Sequence, residues 1–281
     1  MLELEQAREL LLEMGIKTAA DLLDAHLETA VKEETTYLTF LTGLLNCEKE
    51  ERKRRSEETR IKLSRLPHHK TIQEFDFSFQ PSIDPRQIKE LSTLAFAARK
   101  ENVILLGPPG VGKTHLSVAL SIEALRGGMT VYYTTLPRLI ADMKKAIMAD
   151  KLERNLKTFL RPDILVIDEV GYMQLDRQAA EILFRIVSSR YETGSIILTS
   201  NKHFAGWGEL MSDPVIATAM LDRLLHHAHV INIRGETYRL RGRSKAGFVS
   251  VPPAVINPAL GQISTGVWVK FIPALTGGYQ E

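Results

Sequence analysis

The segment Gly107-Pro108-Pro109-Gly110-Val111-Gly112-Lys113-Thr114 constrains this chain more than any other. It fits G-x-x-x-x-G-K-[ST], follows the apolar run Asn102 to Leu106 and opens a helical pattern at Lys113, which is the context the motif requires. Glycines there let backbone N–H groups close around phosphate oxygens, and the helix N-terminus adds positive dipole. Lys113 is placed to reach β and γ phosphates, and Thr114 to ligate Mg2+.

Around this loop the chain alternates between two periods. Strands are expected at Asn102 to Leu106, Thr130 to Thr135, Ile164 to Asp168, Ser195 to Ser200 and Ala228 to Ile233. Helices are expected near Asp84 to Lys100, at Lys113 to Arg126, within Leu136 to Phe159, at Arg177 to Tyr191 and through Ile216 to Leu225. Short strands that are apolar at nearly every position predict an α/β fold whose five-stranded parallel sheet is covered on both faces. Functional groups then belong at the strands' C-terminal ends. The strand Ile164-Leu165-Val166-Ile167 ends there in Asp168-Glu169, 55 residues after Lys113. Asp168 can hold Mg2+ through water, and Glu169 can polarise the water that attacks a γ-phosphate. Asn201, after Ile196 to Ser200, can orient that water or sense the phosphate, although Ser-Asn also makes good turns.

At 281 residues, 44% hydrophobic and 25% charged, the chain has room for one medium domain and a smaller one. From Leu2 to about Leu66 the pattern is helical, broken at Gly15, so a small all-α N-terminal domain, residues 1–68, precedes the sheet. Residues 69–101 read as a connector with Phe75, Phe77 and Phe79 as apolar anchors, then a leading helix. Residues 102–246 form the α/β domain, and 247–281 a Pro/Gly-rich irregular tail in which Val267 to Ile272 could add an edge strand or bind a partner. No apolar run approaches the roughly 18 residues of a membrane span, and the acidic N-terminus is unlike a secretion signal. With one cysteine, Cys47, read as a buried small hydrophobe, the expected location is a reducing compartment, the cytoplasm.

Charge is segregated. Residues 1–60 carry 14 acidic and 9 basic side chains, whereas 138–161 hold seven basic residues, Arg138, Lys144, Lys145, Lys151 and Arg154 among them, against three acidic ones. A second basic stretch runs from Arg223 to Lys245. Separated signs suit separate partners, one of them a polyanion. The run Glu48 to Arg55 reads first as a solvated, self-paired helix face, and in the alternative as a contact for a nucleic acid or protein partner made by the N-terminal domain. His226, His227 and His229 find no nearby cysteine or well-spaced carboxylate in the sequence, so no zinc site is expected.

The glycine loop, the Asp168-Glu169 strand end and the polar Asn201 resemble, in order and spacing, the first and second Walker motifs and polar sensor of the AAA+ ATPases. Residues 1–246 are more closely similar to the IstB family, ATPase helpers of insertion-sequence transposases related to DnaC helicase loaders and DnaA initiators. The resemblance rests on the N-terminal helices, Phe75-Asp76-Phe77-Ser78-Phe79-Gln80-Pro81, Arg190-Tyr191-Glu192 and Leu221-Asp222-Arg223-Leu224. It implies ATP and Mg2+ as cofactors, with Gly107 to Thr114 and His115 at the nucleotide, Thr114 and Asp168 at the metal, and Lys113, Glu169 and Asn201 serving hydrolysis. Arg223 matches an arginine finger acting on the neighbouring subunit's ATP, and Arg239 a second sensor, with Arg190, Arg234, Arg241 and Arg243 as competing arginines. The basic helices after the second strand match the initiator-specific insertion, which places Arg138, Lys144, Lys145, Lys151 and Arg154 against duplex DNA phosphates. The expected function is an ATP-dependent homo-oligomer on DNA that recruits and stimulates a cognate transposase. A replicative helicase loader is the alternative, and a non-catalytic nucleotide-gated adaptor the third reading. The tail after Ala246 departs from the family pattern.

Overall fold

The aliphatic runs form one parallel sheet. The computed structural model describes residues 2–238. Strands β1 (Asn102–Leu106), β2 (Val131–Thr135), β3 (Ile164–Val170), β4 (Ser195–Ser200) and β5 (Ala228–Asn232) stand in the order β2-β3-β4-β1-β5, every neighbouring pair parallel. Alternate residues face opposite layers, the period of two that a strand imposes. Val103, Leu105, Val166 and Ile197 meet one layer, which holds α4 (Pro85–Leu91), α5 (Ala95–Ala98) and α6 (Lys113–Arg126). Ile104, Leu106, Leu165, Ile167 and Leu198 meet the other, which holds α7 (Leu136–Met148), α8 (Leu152–Leu160), α9 (Arg177–Arg190), α10 (Trp207–Leu210) and α11 (Pro214–Leu225). Trp207, isolated in the sequence, is fully buried in that second layer.

Three local departures from the sequence reading have physical causes. The helix expected over Asp84 to Lys100 is two helices, because the Ser92 and Thr93 hydroxyls donate back to Lys89 O and Glu90 O and Leu94 takes φ 64°. Strand β3 runs two residues past Asp168, through a register shift between Ile167 and Val170 that leaves Glu169 at φ 63°. Cys47 is half-buried rather than buried, and its Sγ lies 3.5 Å from His26 Nε2.

At the N-terminus, α1 (Leu2–Glu13), α2 (Lys17–Lys32) and α3 (Tyr37–Ser64) enclose a small core of Ala19, Leu23 and Leu44. Part of the charged run behaves as expected, with Glu51 paired to Arg54 and Arg55. Glu48 is self-paired too, with Arg52 Nε at 2.6 Å, but it is not solvated: it is 5% exposed and accepts from Thr18 N at 2.8 Å and Ala19 N at 3.2 Å. It thereby satisfies amide donors at the start of α2, where Ile16 offers no side-chain cap. The far end of α3 is built into the sheet's first layer. Arg60 Nε donates to Leu125 O at 3.1 Å, Ile61 packs on the core, and the guanidinium of Arg65, just past the helix, lies 5.2 Å from the centre of the Tyr132 ring. The N-terminal helices and the sheet belong to one compact unit.

Arg190 is a structural cation. Only 1% exposed, it donates from Nη1 to Phe159 O and Leu160 O and from Nη2 to Asp163 O and Ser195 O, at 2.8 to 3.2 Å. Burial pulls its guanidinium down to about 10, still charged at neutral pH. These bonds tie the end of α8 to the starts of β3 and β4. Arg190→Leu is expected to leave the carbonyls buried without donors and cost about 3 kcal/mol or more. The check is the denaturant midpoint, which should fall; an unchanged midpoint would refute this role.

Candidate active site

The loop from β1 to α6 is shaped by what crowds it. Ile233 N–H donates to Leu106 O at 2.7 Å, bringing the chain after β5 so close that a Cβ on Gly107 would sit 2.3 Å from Ile233 O. Gly112 takes φ 101°, where a Cβ would lie 2.5 Å from the Phe75 ring. Pro108 and Pro109 are exposed, Val111 is buried in the core, and Gly110 and Thr114 are half-buried. Lys113 is 7% exposed, its Nζ donating to Gly107 O and Pro108 O at 2.7 Å each. His115, expected at the nucleotide, faces the connector: its Nε2 lies 2.8 Å from Thr71 O and its ring packs edge-on against Phe75. The connector thus braces the loop from one side. From the other, Tyr238 N–H donates to Gly110 O at 2.9 Å, and Gln80 Nε2 donates to Glu236 O at 3.0 Å.

Asp168 lies at the centre of the polar cluster. It is 2% exposed and accepts from the hydroxyls of Thr114, Tyr133 and Thr199. Burial and the neighbouring carboxylate push the Tyr133 phenol up, so it remains a donor. The Thr199 hydroxyl also accepts from Glu169 N at 3.1 Å, so one side chain holds both acidic residues. Glu169 itself is exposed. A non-glycine residue at φ 63° carries backbone strain, which here turns its side chain out of the strand's alternation. Asn201 is adjacent: its Oδ1 is buried with no hydrogen-bond partner among the described residues, and a Cβ on Gly171 would sit 2.3 Å from it. Sequence reasoning missed Tyr133 and Thr199. The signal was present as polar residues within Val131 to Thr135 and Ile196 to Ser200.

The residues fit a triphosphate and its Mg2+ on the structure's own terms. The Thr114 hydroxyl is already 2.9 Å from Asp168 Oδ2, the hydroxyl–carboxylate pair that a hard cation takes. The Lys113 ammonium and the start of α6 supply the positive end.

Arg223 is not at this site. It lies near the C-terminal end of α11, where Leu224 O accepts from Asn102 Nδ2 at the start of β1, so the length of the sheet separates it from its own glycine loop. Its Nη1 donates to Ala219 O at 2.9 Å, and its guanidinium lies 4.9 Å from the centre of the Phe184 ring. Arg239, Arg241, Arg243 and the tail, including Val267 to Ile272, fall outside the described residues. On the basic helices, Lys144 is committed to Asp176 at 2.5 Å, and Arg138 lies 3.9 Å from Asp142. Lys145, Lys151 and Arg154 are exposed and make no ion pair among the described residues. No helix among the described residues is long and apolar enough to cross a membrane.

Comparison with known proteins agrees with this geometry. The chain is 50% identical over 228 residues to the insertion sequence IS21 ATP-binding protein of Pseudomonas aeruginosa, covering 81% of this chain and 86% of that one. It is 47% identical to the IS5376 ATP-binding protein of Geobacillus stearothermophilus, covering 84% and 94%. Among solved structures, AMPPCP-bound DnaA from Aquifex aeolicus shares the fold, with TM-score 0.52 and 20% identity over 65% of this chain and 56% of that one. The sheet is thus of the AAA+ type. Residues 6–246 match the family described as IstB-like ATP binding protein, and the chain belongs to that family.

Proposed function

We propose that this protein is an ATPase whose subunits assemble around bound ATP on duplex DNA and, so assembled, recruit and stimulate a transposase. The observation that carries this reading is the division of the charged machinery between the two ends of one sheet. Lys113, Thr114, Asp168, Glu169 and Asn201 gather at the strands' C-terminal ends, while Arg223 stands at the opposite end. An arginine so placed serves a nucleotide held by another copy, which makes turnover depend on assembly. Thr114 and Asp168 would hold Mg2+, which when bound neutralises phosphate charge. Lys113 would bind the β and γ phosphates, Glu169 would take up a proton from the attacking water, and Asn201 Oδ1 would fix that water's position. Lys145, Lys151 and Arg154 offer sequence-independent, salt-sensitive contacts to DNA phosphates. Relatives named for insertion sequences point to a transposase as the protein partner, and to the bacterial cytoplasm as the place. Single-strand preference and co-purification with a helicase would instead support a helicase loader.

The test is binding to duplex and single-stranded DNA of equal length with ATP, ADP or a non-hydrolysable analogue, with the complexes sized by mass photometry. ATP-dependent multimers on duplex are expected. Lys113→Ala should weaken nucleotide binding by about 10-fold or more and abolish those multimers. Small complexes indifferent to nucleotide would overturn the reading.

A further inference from the structure

We infer that Glu192, His226 and His227 form a binding site for a divalent transition-metal ion, Zn2+ foremost, at the N-terminal edge of the sheet. One donor atom from each residue lies within 4.8 Å of the other two. Sequence spacing gave no hint of it, because the carboxylate comes from the turn after α9 and the imidazoles from the turn after α11. Nor do the adjacent histidines diverge as they would within a helix. Helix α11 ends at Leu225, and the two rings stand 4.0 Å apart, centre to centre.

The turn that carries the two imidazoles is fixed by one residue of the sheet, and the turn that carries Glu192 is closed by Thr193 N and Gly194 N on Arg190 O. Asn102, at the start of β1, accepts from Ile196 N at 2.9 Å and donates from Nδ2 to Leu224 O at 3.0 Å; its own N–H donates to His227 O at 2.8 Å. Donors held by a rigid scaffold lose little entropy on taking up an ion. The His226 ring is oriented further, with the Tyr191 hydroxyl 2.7 Å from Nδ1. The Tyr191 hydroxyl also bonds the Glu192 carboxylate, so its oxygen can accept from His226 Nδ1–H; in that tautomer Nε2 keeps its lone pair for a metal, and the phenol is the kind of outer-shell partner that metal-ligating histidines ordinarily have.

The surroundings select the ion. Glu192 supplies the site's one carboxylate, and Lys100 and Arg223 line the same cleft, so the ion is chosen by its ligands rather than by negative charge. Mg2+ and Ca2+, which need several oxygen ligands, would not be retained by one carboxylate there. Two imidazoles and a carboxylate suit Zn2+, Ni2+ or Cu2+, with water in the remaining position, since all three side chains are exposed.

The test uses the untagged full chain, freed of metal with a chelator, and titration of Zn2+ against a chromophoric zinc indicator. One ion per chain is expected, and a large excess of Mg2+ should not displace it. The His226→Ala/His227→Ala double variant should bind Zn2+ at least about 10-fold more weakly while still binding ATP, which shows it folded. Tyr191→Phe should lose about 10-fold through the outer shell. No uptake by the parent, or unchanged affinity in the double variant, would overturn the site. Because the readout is metal affinity at the end of the sheet remote from the glycine loop, it does not depend on the proposed transposition role.

Discussion

Glu169→Gln is expected to reduce ATP turnover by about 100-fold or more, the usual scale for removing a group that takes a proton in the transition state. ATP binding should survive. Thr114, Tyr133 and Thr199 still hold Asp168, and the Glu169 contact with Thr199 is made by its backbone N–H, which glutamine retains. A protein that binds but does not hydrolyse ATP should therefore remain assembled on duplex DNA. The measurement is turnover alongside the dissociation rate of labelled duplex in the presence of ATP. If the variant released DNA faster than its parent, the view that hydrolysis dismantles the assembly would be wrong.

Arg223→Ala should have an equal or larger effect on turnover, about 1,000-fold or more, because a cation brought to the transferring phosphoryl group acts where charge is greatest. Its distance from its own glycine loop gives the experiment a specific form. Arg223→Ala subunits keep an intact nucleotide site and lack the arginine; Glu169→Gln subunits have the converse defect. Mixing the two nearly inactive proteins should restore turnover at interfaces that pair an intact Glu169 with an intact Arg223. Turnover of the mixture equal to the sum of the separate proteins would show that Arg223 does not act across an interface.

What could be read from the sequence was what is enforced locally. The glycine loop, the strands and the acids at the end of β3 each follow from a few adjacent residues whose chemistry has few alternatives. What could not be read depended on groups brought together by the fold. Glu48 belongs to a charged run, and only the packing of α2 against α3 makes it the acceptor for Thr18 and Ala19 amides. Thr199 and Tyr133 look like ordinary strand residues until the order β2-β3-β4 sets them on either side of Asp168. Glu192 lies 34 residues from His226, and no periodicity links them. The split of the helix before β1 was a nearer miss, because Ser92 and Thr93 stand in plain view and their back-bonding competes with helix continuation.

Helix α3 has 28 residues, about 42 Å from end to end at 1.5 Å per residue. One end is seated beside β2 and α6, and the segment that leaves it reaches the glycine loop through Phe75 and Thr71. The other end carries Tyr37, Leu38 and Leu41 into solvent. On an arm of that length a tilt of about 5° at the seated end would carry Tyr37, Leu38 and Leu41 through about 4 Å, so the helical rise turns a small local rearrangement into one as large as a side chain.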